Sequence, residues 1–246
     1  MRVCNTEFNE ERTRMYLYAM NRSPNARNSE LAALELTEFS PNRVIELGAG
    51  EGFLTKYLSS CHPKSQIYAI DASQFMLSQI PEMDNVVQLE QDVVCLPSGN
   101  GSVDLIISLA NFHHVGRKER LFTDASMILN EDGYFIIADV HDGTPVQDFF
   151  DDVVKEYCIT SHNFTFISTE DIQNLSGSVG MQVEKSEIKD TPWEFHSEEE
   201  MMIFVKHLFG LDISYRVLKD KVDQHFPIQN NTLPWQLGYH YIKNEN

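Results

Sequence analysis

The chain is 246 residues long and carries 37 acids against 19 bases, a net charge of −18. A protein that grips phosphate backbones needs a basic face, so nucleic acid is not an expected partner; residues 1–43 hold six arginines against six glutamates, and the negative excess lies entirely in the rest. No run reaches the roughly 18–20 apolar residues of a membrane helix, the first residues lack the apolar core of a signal peptide, and Cys4, Cys61, Cys95 and Cys158 stand far apart, so the expectation is a reduced, cytoplasmic chain with no membrane partner.

The first 41 residues predict two helices. Phe8, Met15, Leu17 and Tyr18 form one apolar stripe, and Leu31, Leu34 and Leu36 form another beyond the break at Ser23-Pro24-Asn25. Strands and helices then alternate: strand Val44–Leu47, helix Phe53–Ser59, strand Gln66–Ile70, helix Ser73–Gln79, strands Val86–Leu89 and Val103–Leu109, helix Lys118–Leu129 and strand Tyr134–Ala138. Such alternation implies right-handed crossovers and a mostly parallel sheet covered on both faces. Thr144-Pro145 is a helix-starting pair, with Val146, Phe149, Phe150, Val153 and Tyr157 as its apolar face. Ser168-Thr-Glu-Asp171 opens a further helix, and Met181–Lys189 alternates like a strand. A capping box at Ser197–Glu200 precedes Met201, Phe204, Leu208 and Leu211 at helical spacing. A helix over Ile213–Phe226 is stopped by Pro227, and Trp235–Ile242 is the last strand.

Residues 43–52 read Arg-Val-Ile-Glu-Leu-Gly-Ala-Gly-Glu-Gly, and the next strand ends on Asp71. Alternate glycines let the backbone turn tightly and approach a ligand without a Cβ in the way, and an acid at the tip of the following strand can accept from both ribose hydroxyls. A nucleoside-containing cofactor is therefore expected. The dinucleotide fingerprint would require glycine at position 53, where this chain has Phe53.

The G-x-G-x-G run with Glu46 two residues before it closely resembles motif I of the class I S-adenosylmethionine-dependent methyltransferases. Leu89-Glu-Gln-Asp92-Val93 resembles their adenine-contacting segment, Ser102–Asn111 their fourth strand and Leu129–Ala138 their fifth. The resemblance implies a seven-stranded, mostly parallel, doubly wound α/β sheet with N-terminal helices; where the family closes its sheet with a hairpin, the long stretch between Lys189 and Trp235 predicts a helical insertion before the last strand. It implies one methyltransferase domain: a cap over 1–41, a cofactor-binding core over 43–190, an insertion over 191–232 and the last strand within 233–246. The cofactor would be S-adenosyl-L-methionine, leaving as S-adenosyl-L-homocysteine. Glu46 would hold the methionine ammonium, Asp71 the ribose and Asp92 the adenine amino group beside Val93. Gly48, Ala49, Gly50, Gly52, Ala72, Met76, Leu109 and Asn111 would complete the cofactor site.

The fourth strand runs into Asn111-Phe112-His113-His114, and Asp139 ends the fifth. Ligands bind at the carboxyl ends of strands in open α/β sheets, and imidazole is the usual base near neutral pH. A His-His pair followed by Asp resembles small-molecule O-methyltransferases, so His113, His114 and Asp139 are the catalytic candidates; Asp139 could equally cap the next turn. Successive extended residues point to opposite sides, which favours His113 toward the acceptor and His114 toward Asp139. Arg22 and Arg27, flanking the proline break, are candidates for holding an acidic group on the acceptor, with solvated loop arginines the alternative. His141 and Trp193 are further acceptor-pocket candidates, while His162 and His196 read as surface or pocket residues. No metal spacing is present, and none is expected. The expected activity is O-methylation of a small-molecule acceptor, then N- and C-methylation. Competing readings are a protein that binds the cofactor without transferring methyl and, more remotely, a nicotinamide-dependent oxidoreductase. The oligomeric state is left open.

Overall fold

A seven-stranded sheet organises the computed structural model, which describes residues 9–93, 96, 102–160 and 164–245. In chain order the elements are α1 (Glu10–Arg22), α2 (Asn28–Ala32), β1 (Arg43–Leu47), α3 (Phe53–Cys61), β2 (Gln66–Asp71), α4 (Gln74–Leu77), β3 (Val86–Glu90), β4 (Val103–Leu109), α5 (Lys118–Ile128), β5 (Leu129–Asp139), α6 (Pro145–Phe149), α7 (Lys155–Tyr157), α8 (Thr169–Gly177), β6 (Met181–Asp190), β7 (Trp193–Glu194), α9 (Glu198–Leu208), α10 (Tyr215–His225), β8 (Thr232–Leu233) and β9 (Gln236–Asn244). A π-helical turn, Phe150–Val154, joins α6 to α7. The sheet order is β3-β2-β1-β4-β5-β9-β6, with β1 to β5 parallel and β9 antiparallel to β5.

Internal contacts divide the chain into two units. One comprises Leu34–Asp139, Ile167–Ile188 and Gly238–Asn246. Its central strands are apolar on both faces, as expected for parallel strands covered by helices. Ile45, Leu47, Ile106, Phe122, Phe135 and Ile137 form its core with Phe112, whose ring meets Phe122 and Phe135 edge-on at 6.2 and 6.4 Å. Edge strand β3 exposes Val87, Gln88 and Glu90 and half-buries Val86 and Leu89. The fifth strand starts earlier than predicted, at Leu129, because the Asn130–Gly133 segment stays in the ladder as an irregularity; Asp132 has φ of 65°, and a Cβ on Gly133 would lie 2.9 Å from the Asn130 carbonyl oxygen. Helix α4 is only four residues, shorter than the predicted Ser73–Gln79, with Ser73 as its N-cap.

The other unit comprises Met1–Ala33, Val140–Phe166 and Lys189–Leu237. Here the predicted stripe on the first helix is corrected. Helix α1 buries Arg12, Thr13, Ala19 and Met20, whereas Tyr18 stays exposed and Phe8 lies outside the described residues. Helix α1 packs against α9, and the Arg12 guanidinium donates to the Leu208 carbonyl, satisfying the end of that helix. Gly210, at φ 62°, leaves room for the arginine: a Cβ there would collide with Arg12 Cδ. The capping box before α9 is half made. Ser197 accepts from Glu200 N, but the Glu200 carboxylate is used by His196 N and Ser23 Oγ. Trp193 and Trp235 stack at 4.0 Å, with Phe204 and Phe209 against the Trp193 ring. The two-stranded ribbon of β7 and β8 had no signal in the alternation pattern, being two residues per strand.

Candidate active site

The glycine turn leaves β1 and is held by its neighbour strand: Gly48 N and Ala49 N both donate to the Ile70 carbonyl, at 2.8 and 2.9 Å. Gly48, Gly50 and Gly52 have φ of 72°, 55° and 88°, a region in which a side chain is strained. Asp71 ties the turn to the end of β2, accepting from Gly50 N at 2.9 Å and Ser73 N at 2.8 Å. A carboxylate offers about four acceptor directions, so capacity remains for ribose hydroxyls. Burial pushes the Asp71 carboxyl up, against the hydrogen bonds from Ser73, Gly50 and Ala72. Met76 is buried in α4 and Ala72 exposed before it. Gln91 N donates to the Asp71 carbonyl at 2.9 Å, which sets Asp92 and Val93 just beyond the same strand ends; residues 94, 95 and 97–101, Cys95 included, lie outside the described residues.

Glu46 is 2% exposed and accepts from Thr55 Oγ1 at 2.6 Å. Burial pushes its pKa up to about 8, opposed by the Thr55 hydrogen bond and reinforced by the negative charges of Glu51 and Asp71. This is a dry carboxylate beside two more acids, suited to a cation. Thr55 and Glu51 were missed by sequence reasoning. Only the burial of a charged residue inside the glycine turn marks Glu51, and nothing in the sequence singles out Thr55.

The fourth strand does not run straight into the histidines. Leu109 is its last residue, Ala110 has φ of 51°, and Phe112–His114 form a 3-10 turn. The expected alternation of side chains therefore does not apply, and the pairing is corrected: His113 meets Asp139, with Nδ1 2.6 Å from Oδ1 and the His113 backbone N–H donating to Oδ2 at 3.1 Å. The His114 ring lies 4.0 Å from that of His113, centre to centre. Asp139 is thus engaged in orienting an imidazole.

Asn111 folds back over Gly48, and its buried Nδ2 has no hydrogen-bond partner. An orphaned buried donor costs about 1–3 kcal/mol. That donor, a glycine cradle that a Cβ would fill and the buried acids around Glu46 together fit a zwitterionic, cationic ligand carrying a ribose.

The four acceptor-side candidates belong to the other unit. Arg27 is buried and corrected from an open anion holder: its guanidinium is bonded to Glu30, with NH2 2.6 Å from Oε2. The Trp193 indole N–H donates to Glu30 Oε1 at 2.6 Å, so tryptophan and arginine share one carboxylate. Arg22 ends α1 with an exposed side chain. His141 is buried, its Nδ1 2.7 Å from the Asp142 carbonyl. His196 is exposed, and His162 lies outside the described residues.

With this geometry in view, the relatives are informative. Residues 45–137 match the family described as methyltransferase domain. The malonyl-[acyl-carrier protein] O-methyltransferase of Geobacter sulfurreducens is 31% identical over 109 residues, 42% of this chain and 40% of the relative. That of Legionella pneumophila is 27% identical over 104 residues, 41% and 37% of the two chains. The chain thus spans about two-fifths of the curated relatives it matches. In fold it is similar to an S-adenosylmethionine-dependent methyltransferase from Thermotoga maritima, with a TM-score of 0.62 at 17% identity over 95% of each chain. It is also similar to a phosphoethanolamine N-methyltransferase of Haemonchus contortus in complex with S-adenosylhomocysteine, with a TM-score of 0.62 at 16% identity over 95% of this chain and 56% of that one.

Residues 45–137 thus match a methyltransferase domain, and the fold is the Rossmann-like one of the S-adenosylmethionine-dependent methyltransferases to which it is similar.

Proposed function

We propose that this protein transfers the methyl group of S-adenosylmethionine to an oxygen atom of a small-molecule acceptor. When bound, the cofactor supplies a methyl carbon activated by a sulfonium leaving group; the residues of the chain have only to bind, align and take a proton. Glu46 receives the ammonium, Asp71 the ribose hydroxyls and Asp92 the adenine amino group, while Asn111 Nδ2 donates to an acceptor atom of the cofactor. Alignment lowers the barrier by several kcal/mol, up to about 7–11 in ideal cases.

The contact between His113 Nδ1 and Asp139 Oδ1 supports the choice of oxygen most directly. Asp139, as carboxylate, can only accept, so it fixes the ring proton on Nδ1 and directs Nε2 to the acceptor hydroxyl. His113 then removes that proton as the methyl bond forms, and the imidazolium is held by the carboxylate. Strands β1, β4 and β5 are parallel, so their carboxyl ends share one sheet edge and carry both the glycine turn and this pair, the usual place for ligands in such sheets.

The test is transfer of labelled methyl from S-adenosylmethionine to a panel of alcohols, carboxylic acids and amines. His113→Ala is expected to slow transfer to an alcohol about a hundredfold or more, with cofactor affinity intact, and His114→Ala to slow it less. Equal rates in His113→Ala and parent would remove the base. A carboxylate acceptor would then take the alcohol's place, a second reading that the names of the malonyl-[acyl-carrier protein] O-methyltransferases favour.

A further inference from the structure

Lys118 has no part in the assignments above, yet it faces the turn that carries His113. It is the first residue of α5 and half-buried. Its Nζ donates to the Val115 carbonyl at 2.8 Å and lies 5.2 Å from the centre of the Phe112 ring. Those two residues bracket the histidines. The turn is closed by His114 N to the Asn111 carbonyl and Val115 N to the Phe112 carbonyl, at 3.1 and 3.0 Å. Phe112 is 0% exposed and fixed in the core. One ammonium therefore grips the turn at both ends, by a charge-assisted hydrogen bond and a cation–π contact.

The charges facing Lys118 come from three elements: Glu119 on α5, Asp171 on α8 and Asp139 at the end of β5. Burial lowers the lysine pKa, and among the acids that oppose this Asp139 contributes most. The carboxylate that holds His113 is thus among the charges that act on Lys118. A lysine at the surface would keep its ammonium in water; this one gives up hydration to sit over an aromatic ring.

We propose that Lys118 is a positioning residue for the His113–Asp139 pair, pinning the turn that carries the imidazole. The proposal rests on the reading of His113 as base for its consequence in catalysis, but not for its structural content. Pinning keeps the ring in line with Asp139.

The pair gives a direct readout: the His113 Nδ1–H proton, expected as a downfield, slowly exchanging resonance because its hydrogen bond to carboxylate is short and buried. It is assigned by its loss in His113→Gln. Lys118→Met keeps the stem against Phe112 and removes both donor and charge. Lys118→Gln keeps a donor for the Val115 carbonyl without the charge. In Lys118→Met the resonance is expected to move upfield and exchange faster, with the Kd for S-adenosylhomocysteine unchanged. With an accepted alcohol, kcat is expected to fall about tenfold or more at unchanged KM for the cofactor. Lys118→Gln should restore both the resonance and most of kcat. An unchanged resonance and exchange rate in folded Lys118→Met would overturn the proposal regardless of turnover. A perturbed resonance with full activity in both Lys118→Met and His113→Ala would uphold the pinning and discard the base.

Discussion

The side-chain amide of Asn111 lies across Gly48 so closely that a methyl group on that glycine would overlap Asn111 Cγ. Two strands that are neighbours in the sheet, β1 and β4, are thereby interlocked at their carboxyl ends by one residue without a side chain and one with an unsatisfied donor. Gly48→Ala should displace the amide and strain a backbone at φ 72°, a cost of roughly 1–3 kcal/mol. The expected outcome is a fall of at least about tenfold in affinity for S-adenosylhomocysteine by calorimetry. Adding Asn111→Ala should relieve the overlap and recover thermal stability, while leaving affinity low because the donor is gone.

Asp71 carries two tasks, holding the glycine turn and facing the ribose. Asp71→Asn keeps one acceptor oxygen for a turn amide and loses the charge and the second acceptor. Charge-assisted hydrogen bonds are worth about 1.5–3 kcal/mol, so the Kd for S-adenosylmethionine is expected to rise at least about tenfold, and Tm to fall as well, because Gly50 N and Ser73 N use different oxygens of the carboxylate. Unchanged affinity would remove the ribose role.

Glu46 makes stability depend on pH. Its pKa is raised from 4.5 in the unfolded chain to about 8 in the fold. The folded state therefore holds a proton that the unfolded state has released, and the associated stability is complete below pH 4.5 and lost as pH rises through about 8. A tenfold difference in proton affinity is worth ~1.4 kcal/mol, so the total is on the order of a few kcal/mol. Glu46→Gln should flatten this part of the dependence, read as Tm from about pH 5 to 9 without cofactor. Binding a cationic ammonium needs the ionised form, so cofactor affinity should increase with pH up to about 8. Calorimetry in buffers of differing ionisation enthalpy should then show proton release on binding at about pH 7.

How much of this was legible differs by element. The glycines and Asp71 could be read because backbone conformation and strand-end acidity impose their residue types locally. The strands β1, β2 and β4 could be read because a strand buried on both faces is a continuous apolar run. The His113–Asp139 pairing could not, since it hangs on Ala110 adopting a positive φ, which alanine gives no reason to expect. Arg12 escaped for a different reason: its partners are the carbonyls of His207 and Leu208, 195 and 196 positions away, and backbone acceptors leave no trace in side-chain patterning.

Arg27, expected as an arm for ligand, is instead half of a buried ion pair whose other half, Glu30, is 0% exposed. Arg27→Met should leave that carboxylate with the Trp193 indole and no guanidinium, at a cost of about 3–5 kcal/mol. Denaturant unfolding should show a lower midpoint at unchanged slope. Replacing Glu30 by Leu in the same chain should return part of the loss, as removing both partners of a buried pair does. A midpoint equal to the parent's in the single variant would mean that other partners hold the Glu30 carboxylate.

Strand β5 is flanked by β4 on one side and by β9 on the other, where Tyr134 to Asp139 pair with Lys243 back to Gly238. In chain order β9 follows every other strand. During synthesis, then, the ribosome must release residues beyond position 244 before the outer side of β5 finds its hydrogen-bond partner. Until that moment Phe135, Ile136 and Ile137 border an unpaired edge, a template for pairing with another nascent chain. The carboxylate that orients His113 sits on the last-completed strand pair, so a polypeptide stalled short of Gly238 would own a finished glycine turn and an unfinished base. Crowded translation should therefore be the condition under which this protein is most exposed to aggregation, and holding chaperones should act on it most strongly just before β9 emerges.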